Sequence, residues 1–139
     1  MAYFSDAQDV YDTLGALLVA ITADDDELAP QLRSADTIVR YEYTEPDAAI
    51  TVHLDESDGE RVHFGDPADE PEVTMKMAAD TAHLFWLGEV DVTRALARGE
   101  ITASGPVAKL LRLVPLVKPA FPRYRRLLID RGRADLTEV

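Results

Sequence analysis

The residues best suited to metal binding or acid–base catalysis in this chain are its three histidines, His53, His63 and His83. An imidazole ligates zinc, and it also acts as a general base near neutral pH. No two of these histidines stand at a short metal-ligand spacing, and the chain has no cysteine. A pair of strands that brought His53 and His63 together would supply two ligands, whereas a zinc site takes three or four. We therefore predict no metal site and no cofactor.

The other groups that carry chemistry give no catalytic pattern. The serines lie outside the context of a nucleophile elbow, and the glycines form neither a phosphate-binding loop nor a dinucleotide fingerprint. The 26 acidic residues are concentrated in predicted turns and helix caps, where they have local structural roles. We predict no catalytic residue and expect that the protein is not an enzyme. An enzyme that uses His53 and His63 is the least favoured hypothesis, because nothing places a nucleophile beside them.

The charge of the chain is unevenly distributed. The net charge of −12 combines −18 in residues 1–91 with +6 in residues 92–139. Such an acidic chain is a poor non-specific binder of nucleic acid. The basic segment either contacts an anionic membrane, ligand headgroup or partner, or docks on the acidic body of its own chain. The residues predicted to make a membrane or anion contact are Lys118, Arg123, Arg125 and Arg126.

The elements that must position these residues begin with a helix. Ser5 and Gln8 fit a capping box, and apolar residues from Val10 to Ile21 follow at helical spacing, which predicts a helix over about residues 5–22. A short helix ending near Arg33 is expected next.

From Thr37 the apolar period changes to two, with Val39, Tyr41 and Tyr43 on one face, which predicts strands. Four alternating segments run to Met77, separated by turn residues at 45–47, 56–59 and 65–69. Because the links are short, we expect antiparallel hairpins with one apolar face, covered by the helices, and one polar face that carries His53 and His63.

The second half of the chain is predicted to be mostly helical. Asp80 is expected to cap a helix that ends at Gly88, and Asp91 a second helix that ends at Gly99. Residues 100–104 form a last strand, and a helix then restarts after Gly105 and Pro106. Strands followed by helices, after one N-terminal helix, give an α+β fold. We predict one domain over residues 1–139, with a basic C-terminal extension over 115–139 that three prolines interrupt.

Residues 84–111 carry the most specific pattern in the chain. Two short helices lead to the strand signature Gly99-Glu100-Ile101, and Gly105 follows; Val73-Thr74-Met75-Lys76-Met77 and then Asp80 precede it. This segment resembles the sterol carrier protein 2 family, in a single-domain bacterial or archaeal form. The resemblance extends over roughly residues 35–114 and more loosely over the first helix.

The resemblance implies a five-stranded, mainly antiparallel sheet with helices packed on one face. It also implies an apolar tunnel between the sheet and the last helices, which takes sterols, fatty acids or fatty acyl-CoA, with residues 105–129 as its gate. The predicted ligand-binding residues are Met75, Met77, Phe85, Trp86, Leu96, Ile101, Val107, Leu110, Leu111 and Val114. The alternative for each is an ordinary core position. Phe85 and Trp86 are adjacent, so we expect one of them to be exposed or to lie at an opening.

Two hypotheses for function follow. The favoured one is non-enzymatic binding or transfer of a lipid ligand in the tunnel. The alternative is an accessory subunit with a filled core that docks an enzyme of lipid or steroid metabolism. We expect a cytoplasmic location, because Asp6, Asp9 and Asp12 interrupt any signal-peptide core and no apolar run approaches about 20 residues.

Overall fold

A five-stranded sheet forms the centre of the fold. Its strands are β1 (Thr37–Thr44), β2 (Ala48–Leu54), β3 (Val62–Phe64), β4 (Val73–Ala78) and β5 (Ile101–Ser104), in the spatial order β3-β2-β1-β4-β5. The computed structural model describes residues 3–55, 60–65 and 70–138. The predicted turn at 56–59 and all but the first residue of that at 65–69 lie outside the described residues. The α+β class and the predicted strands are confirmed.

The pairing of the strands differs from a simple series of hairpins. The pairs β1–β2, β2–β3 and β4–β5 are antiparallel, whereas β4 runs parallel to β1, with Met75 opposite Tyr41. The prediction of antiparallel hairpins is therefore wrong between β3 and β4, although the sheet is mainly antiparallel. Alternation specifies which face of a strand is buried and leaves open which strand lies beside it.

The inner face of the sheet consists of apolar rows that run across the strands. Residues in register on one face lie about 5 Å apart, so each row packs as a unit. One row contains Phe64, Ile50, Tyr41, Met75 and Ala103; the next contains Val62, Val52, Val39 and Val73; a third contains Ala48, Tyr43, Met77 and Ile101. The helices pack against this face, as predicted.

The outer face is more buried over β2 than the alternation predicts. Thr51 and His53 alternate with Val52, yet they are only 0% and 6% exposed. His53 and His63 lie on the same face, opposite to that of Val52, as predicted, but this face is buried at His53. The ring of His53 meets that of His63 on the neighbouring strand edge to face, with centroids 5.2 Å apart.

The N-terminal helix, residues 7–24, alternates between α and π geometry. Its segments are α1 (Ala7–Val10), a π turn (Tyr11–Gly15), α2 (Ala16–Val19) and a second π turn (Ala20–Asp24). The N-cap is Asp6, whose carboxylate accepts from the Asp9 N–H at 2.9 Å; the predicted cap Ser5 is wrong by one residue. Asp9 in turn accepts from the Ser5 N–H at 3.0 Å. A carboxylate accepts more strongly than a hydroxyl, which favours the aspartate as cap.

The remaining helices frame the edge and inner face of the sheet. They are α3 (Leu28–Arg33), α4 (Ala79–Trp86), α5 (Val92–Arg98), α6 (Ala108–Leu111), a 3-10 helix (Val114–Val117), α7 (Ala120–Asp130) and a last 3-10 helix (Ala134–Thr137). Asp91 caps α5 as predicted, accepting from the Arg94 N–H at 3.2 Å. Asp80 is not the cap of α4, because the helix starts directly from β4. Its carboxylate lies in the first turn and accepts from the Tyr3 N–H at 2.9 Å.

The prolines after residue 114 divide the C-terminal region without removing it from the core. Pro122 is the third residue of α7, where no N–H has a partner within the helix, so the ring is tolerated. The segment predicted as an extension buries five apolar or aromatic side chains: Val117, Ala120, Tyr124, Leu128 and Leu136.

Candidate functional site

A cavity of about 90 Å³ lies between the inner face of the sheet and the helices that cover it. The N-terminal helix and α3 contribute Leu18, Ile21, Thr22 and Leu32; the strands contribute Tyr41, Tyr43, Val52, Leu54, Met75, Met77 and Ile101; the later helical segments and their links contribute Ala82, Phe85, Trp86, Val92, Leu110, Leu111, Leu113, Val114 and Val117. None of these side chains is charged, so the cavity suits an apolar occupant.

Most of the residues predicted to bind a ligand are brought together here. Eight of them line the cavity: Met75, Met77, Phe85, Trp86, Ile101, Leu110, Leu111 and Val114. Leu96 and Val107 are half-buried and do not line it. Leu96 lies one turn beyond the lining residue Val92 on α5, where it packs against the core. Contact of the eight with a lipid stays a prediction.

Phe85 and Trp86 both line the cavity. Trp86 is 7% exposed and Phe85 is partly buried, so neither is exposed, and a position of one of them at an opening stays a prediction. Their rings meet edge to face with centroids 4.9 Å apart, and the ring of Phe121 on α7 lies 5.8 Å from that of Phe85. Consecutive residues point about 100° apart around a helix. Because α7 covers the flank of α4, both directions lead into the interior.

Half of the twelve lining residues that were not predicted from the sequence come from the first third of the chain. Leu18 and Ile21 belong to the apolar stripe of the N-terminal helix, and Tyr41 and Tyr43 to the inner face of β1. The periodicity found all four as buried positions. It gave no signal that separates a residue beside a cavity from one in solid core, since the two share composition.

Tyr41 and Tyr43 give the cavity its polar groups on the sheet side. They stand two residues apart on β1, and their rings are parallel within 2°, with centroids 6.2 Å apart. Burial raises the pKa of Tyr41 to about 12. Burial, with smaller effects of Tyr41 and Tyr124, raises the pKa of Tyr43 well above 10. Both phenols are therefore neutral hydrogen-bond donors at physiological pH.

The cavity reaches the surface at α6. Leu111 lines the cavity and is also 38% exposed. Leu116, in the following 3-10 helix, is 36% exposed, and the cations Arg112 and Lys118 are exposed nearby in sequence. The mouth at Leu111 thus belongs to a segment, residues 111–118, that also exposes Leu116 and two cations.

The four residues predicted to contact a membrane or an anion have different surroundings. Arg123 donates to the carboxylate of Asp25 at 2.8 Å. Arg125 donates to two backbone carbonyl oxygens, at 3.1 and 2.9 Å. Lys118 and Arg126 are exposed. Docking on the chain's own acidic body therefore accounts for Arg123, while an external anion contact stays a prediction for all four.

His83 belongs to a buried network that fastens the C-terminal region. Its Nδ1 lies 2.7 Å from the hydroxyl of Tyr124, and its Nε2 lies 2.8 Å from the carbonyl oxygen of Leu136. A carbonyl oxygen can only accept, so Nε2 carries the proton and Nδ1 accepts from Tyr124. Burial lowers the pKa of His83. Both ring nitrogens are occupied, which gives this histidine a structural role.

Within residues 3–55, 60–65 and 70–138, no group of three or more histidine, cysteine or acidic residues is placed to hold a metal ion. No helix in the same part of the chain combines the length and apolarity needed to cross a bilayer.

Comparison with known proteins places these features in context. The sequence matches the model of the SCP-2 sterol transfer family over residues 17–118. A search of curated protein sequences gives no match.

Solved structures of low sequence identity share the fold. The sterol carrier protein domain 2 of Helicoverpa armigera superposes with a TM-score of 0.66 at 17% identity, covering 88% of this chain and 97% of that chain. Sterol carrier protein 2 of Yarrowia lipolytica, in its apo form, gives 0.59 at 12% identity, with coverages of 80% and 88%. Sterol carrier protein 2 of Aedes aegypti, in complex with the C16 fatty acid palmitate, gives 0.53 at 17% identity, with coverages of 83% and 97%.

Proposed function

The chain belongs to the SCP-2 sterol transfer family, and we propose on that premise that it binds a lipid reversibly in its cavity, without chemical reaction. The observation that carries the proposal is the cavity itself, whose twenty lining residues include no charged side chain. The palmitate complex of the Aedes aegypti protein supports it. The proposed ligand is a sterol, a fatty acid or a fatty acyl-CoA.

Burial of apolar surface supplies the driving force for binding. Each methylene removed from water contributes about 0.8 kcal/mol, so a tail of about 16 carbons gains on the order of 10 kcal/mol before the costs of ordering and association. Met75 and Met77 form an adaptable wall, because thioether side chains repack readily around different shapes. Uptake and release by this mechanism need no catalytic group.

The cavity has to enlarge to hold a complete lipid. Its volume of about 90 Å³ falls below the roughly 300–1,000 Å³ of pockets for drug-sized ligands. We place the movement in residues 105–129, beginning with the segment around Leu111 at the mouth. Lys109 ties this segment to the body through the Glu72 carboxylate at 2.9 Å and the Asp36 carbonyl oxygen at 3.1 Å. Such partly exposed contacts are weak and break readily.

The positive charge near the mouth is proposed to meet an anionic membrane during lipid exchange. Arg112 and Lys118 flank the exposed Leu116, a combination that suits an interfacial contact. Cosedimentation with vesicles of phosphatidylglycerol tests this at low and high salt. Binding that ignores ionic strength would contradict the electrostatic contact.

A second candidate function is favoured by the small volume of the cavity. A chain with a nearly filled core retains the fold without carrying lipid. In this alternative the protein is an accessory subunit that docks an enzyme of lipid or steroid metabolism through its acidic surface or its basic C-terminal segment.

Native mass spectrometry of the freshly purified protein, followed by lipid extraction, separates the two candidates. Lipid binding predicts a stoichiometric adduct, or uptake from a mixture of sterol, fatty acid and acyl-CoA. A bare mass with no uptake from that mixture contradicts lipid binding and favours the accessory subunit.

A matched pair of variants tests whether the cavity is the site. Leu110 lines the cavity and is 7% exposed, whereas Ile129 lies outside it and is 57% exposed. We expect Leu110→Trp to fill the cavity and abolish the adduct, at a cost in stability of about 1–3 kcal/mol. We expect Ile129→Trp to retain it. Equal lipid content in the two variants would place the ligand elsewhere.

A further inference from the structure

Two hydroxyl groups in the cavity have no hydrogen-bond partner in the described part of the chain. They belong to Tyr41 and Tyr43, which line the cavity from β1. The remaining lining hydroxyl, on Thr22, donates to the Leu18 carbonyl oxygen at 2.6 Å. Trp86, whose indole carries a side-chain N–H, lines the cavity from α4, opposite the sheet. Tyr43 is 4% exposed and Tyr41 is partly buried. A few polar groups on the wall of an apolar cavity usually orient its ligand, so this pair marks a position where a ligand atom can supply the missing partner.

The two phenols are arranged to act together. Their rings are parallel within 2° at a centroid distance of 6.2 Å, and they leave the same face of the strand. Met75 and Met77 stand beside them on β4, in register with Tyr41 and Tyr43. The pair therefore forms a polar strip on an otherwise apolar wall.

We propose that Tyr41 and Tyr43 recognise a neutral oxygen of the bound lipid, a hydroxyl or a carbonyl, while its apolar body fills the rest of the cavity. This inference rests on the proposed lipid binding and specifies the class of lipid. A hydroxyl or carbonyl oxygen accepts from the phenols without bringing charge into the cavity. An ionised carboxylate or phosphate enters unfavourably, because no cation lines the cavity to compensate its desolvation.

The phenols are neutral at physiological pH and can therefore donate to a ligand oxygen. Burial holds the pKa of Tyr41 at about 12 and that of Tyr43 well above 10. Both remain donors throughout the physiological range. A fatty acid is therefore expected to enter the cavity in its protonated form, so that its affinity falls as the pH rises above the carboxyl pKa.

Three probes with the same ten-carbon chain separate the contribution of the polar group to the affinity from that of the apolar chain. They are decane, decan-1-ol and decanoate. Their affinities are measured by equilibrium dialysis of radiolabelled compounds against the full chain and its variants. Tyr41→Phe combined with Tyr43→Phe removes both hydroxyls and leaves the rings. Tyr3→Phe is the matched control, since Tyr3 lies outside the cavity lining.

We expect the double variant to lose about tenfold in affinity for decan-1-ol and to change by less than about twofold for decane. The control variant should match the parent for all probes. Decanoate affinity should fall with rising pH, and decan-1-ol affinity should not. The melting temperature of the double variant without lipid should equal or exceed that of the parent, because the removed hydroxyls have no protein partner.

The outcomes separate this inference from the proposal beneath it. If none of the probes binds the parent protein, lipid binding and the recognition site fail together. If the probes bind but the double variant weakens alcohol and alkane equally or not at all, the recognition site is refuted and lipid binding stands. Decanoate affinity that is independent of pH also refutes the recognition site, because the carboxylate then enters ionised.

Discussion

Replacing Tyr124 by phenylalanine removes one oxygen atom from a fully buried polar network. Tyr124 and His83 are both 0% exposed, and the hydroxyl lies 2.7 Å from Nδ1. Since the other ring nitrogen donates to Leu136, Nδ1 has to accept, and it loses its donor in Tyr124→Phe. An unpaired buried acceptor costs about 1–3 kcal/mol. We expect the free energy of unfolding to fall by about 2 kcal/mol.

This loss corresponds to a clear shift in melting temperature. For a chain of this length the unfolding entropy is about 0.3 kcal/mol/K, so the expected decrease in Tm is about 7 °C. Differential scanning calorimetry and urea unfolding measure both quantities. Tyr3→Phe is the control, because the Tyr3 ring lies 4.9 Å from that of His83 but does not enter the network. We expect it to cost less than about 0.5 kcal/mol.

The same network makes stability depend on pH. Burial lowers the pKa of His83 below its usual 6.5, while the hydrogen bond to Leu136 opposes part of this effect. The unfolded chain therefore takes up the proton first. The contribution of His83 is complete above pH 6.5 and is lost as the pH falls from there towards the folded-state pKa, by at most about 1.4 kcal/mol per pH unit. In the His83→Asn variant, the urea concentration at the midpoint of unfolding should depend less on pH over this range.

Two results would refute the reasoning. One is a Tyr124→Phe variant as stable as Tyr3→Phe, which shows that the hydroxyl contributes nothing. The other is an NMR titration in which His83 takes up its proton at the usual pH in the folded protein, which shows that burial does not penalise its charge.

Two further predictions concern the chain away from the cavity. Gly105 has a φ of +89°, and a Cβ there overlaps the Glu72 carbonyl oxygen, whereas Gly99 has a φ of +76° and a Cβ there meets nothing within 4 Å. In urea unfolding we expect Gly105→Ala to cost more than about 3 kcal/mol and Gly99→Ala about 1–2 kcal/mol. Equal costs would contradict the overlap. The Asp25 carboxylate accepts from two backbone N–H groups at the start of α3 and from Arg123. In the same assay we expect Asp25→Ala to cost about 1–2 kcal/mol and Arg123→Ala less than about 1 kcal/mol. The reverse order would show that the ion pair contributes more than the helix cap.

The sequence determined the local elements and their buried faces. Alternation from Thr37 onward located the strands and assigned Val39, Tyr41 and Tyr43 to the inner face, and Asp91 and Gly99 marked both ends of α5. These features depend on a residue and its near neighbours, so they can be read from spacing. The capping errors at Ser5 and Asp80 show the limit of such reading, since several nearby oxygens compete for the same N–H groups.

The family resemblance located eight of the twenty residues that line the cavity. All eight lie within residues 75–114, where the residues that carry the resemblance are concentrated. The wall formed by Leu18 and Ile21 lies outside the pattern. A buried stripe on a helix shows that the helix packs on something, and it does not show whether a void lies beneath it.

Tertiary structure alone decided the contacts between distant segments. The parallel pairing of β4 with β1 sets Met75 beside Tyr41, and the fold brings His83 to Tyr124 across 41 positions of sequence. Periodicity along the chain carries no information about such partners, because each strand or helix presents the same apolar face to whatever covers it. The cavity lies where those apolar faces do not fill the space between them, and this determines which side chains, including the two tyrosines, line it. Such a gap depends on how all the elements pack together.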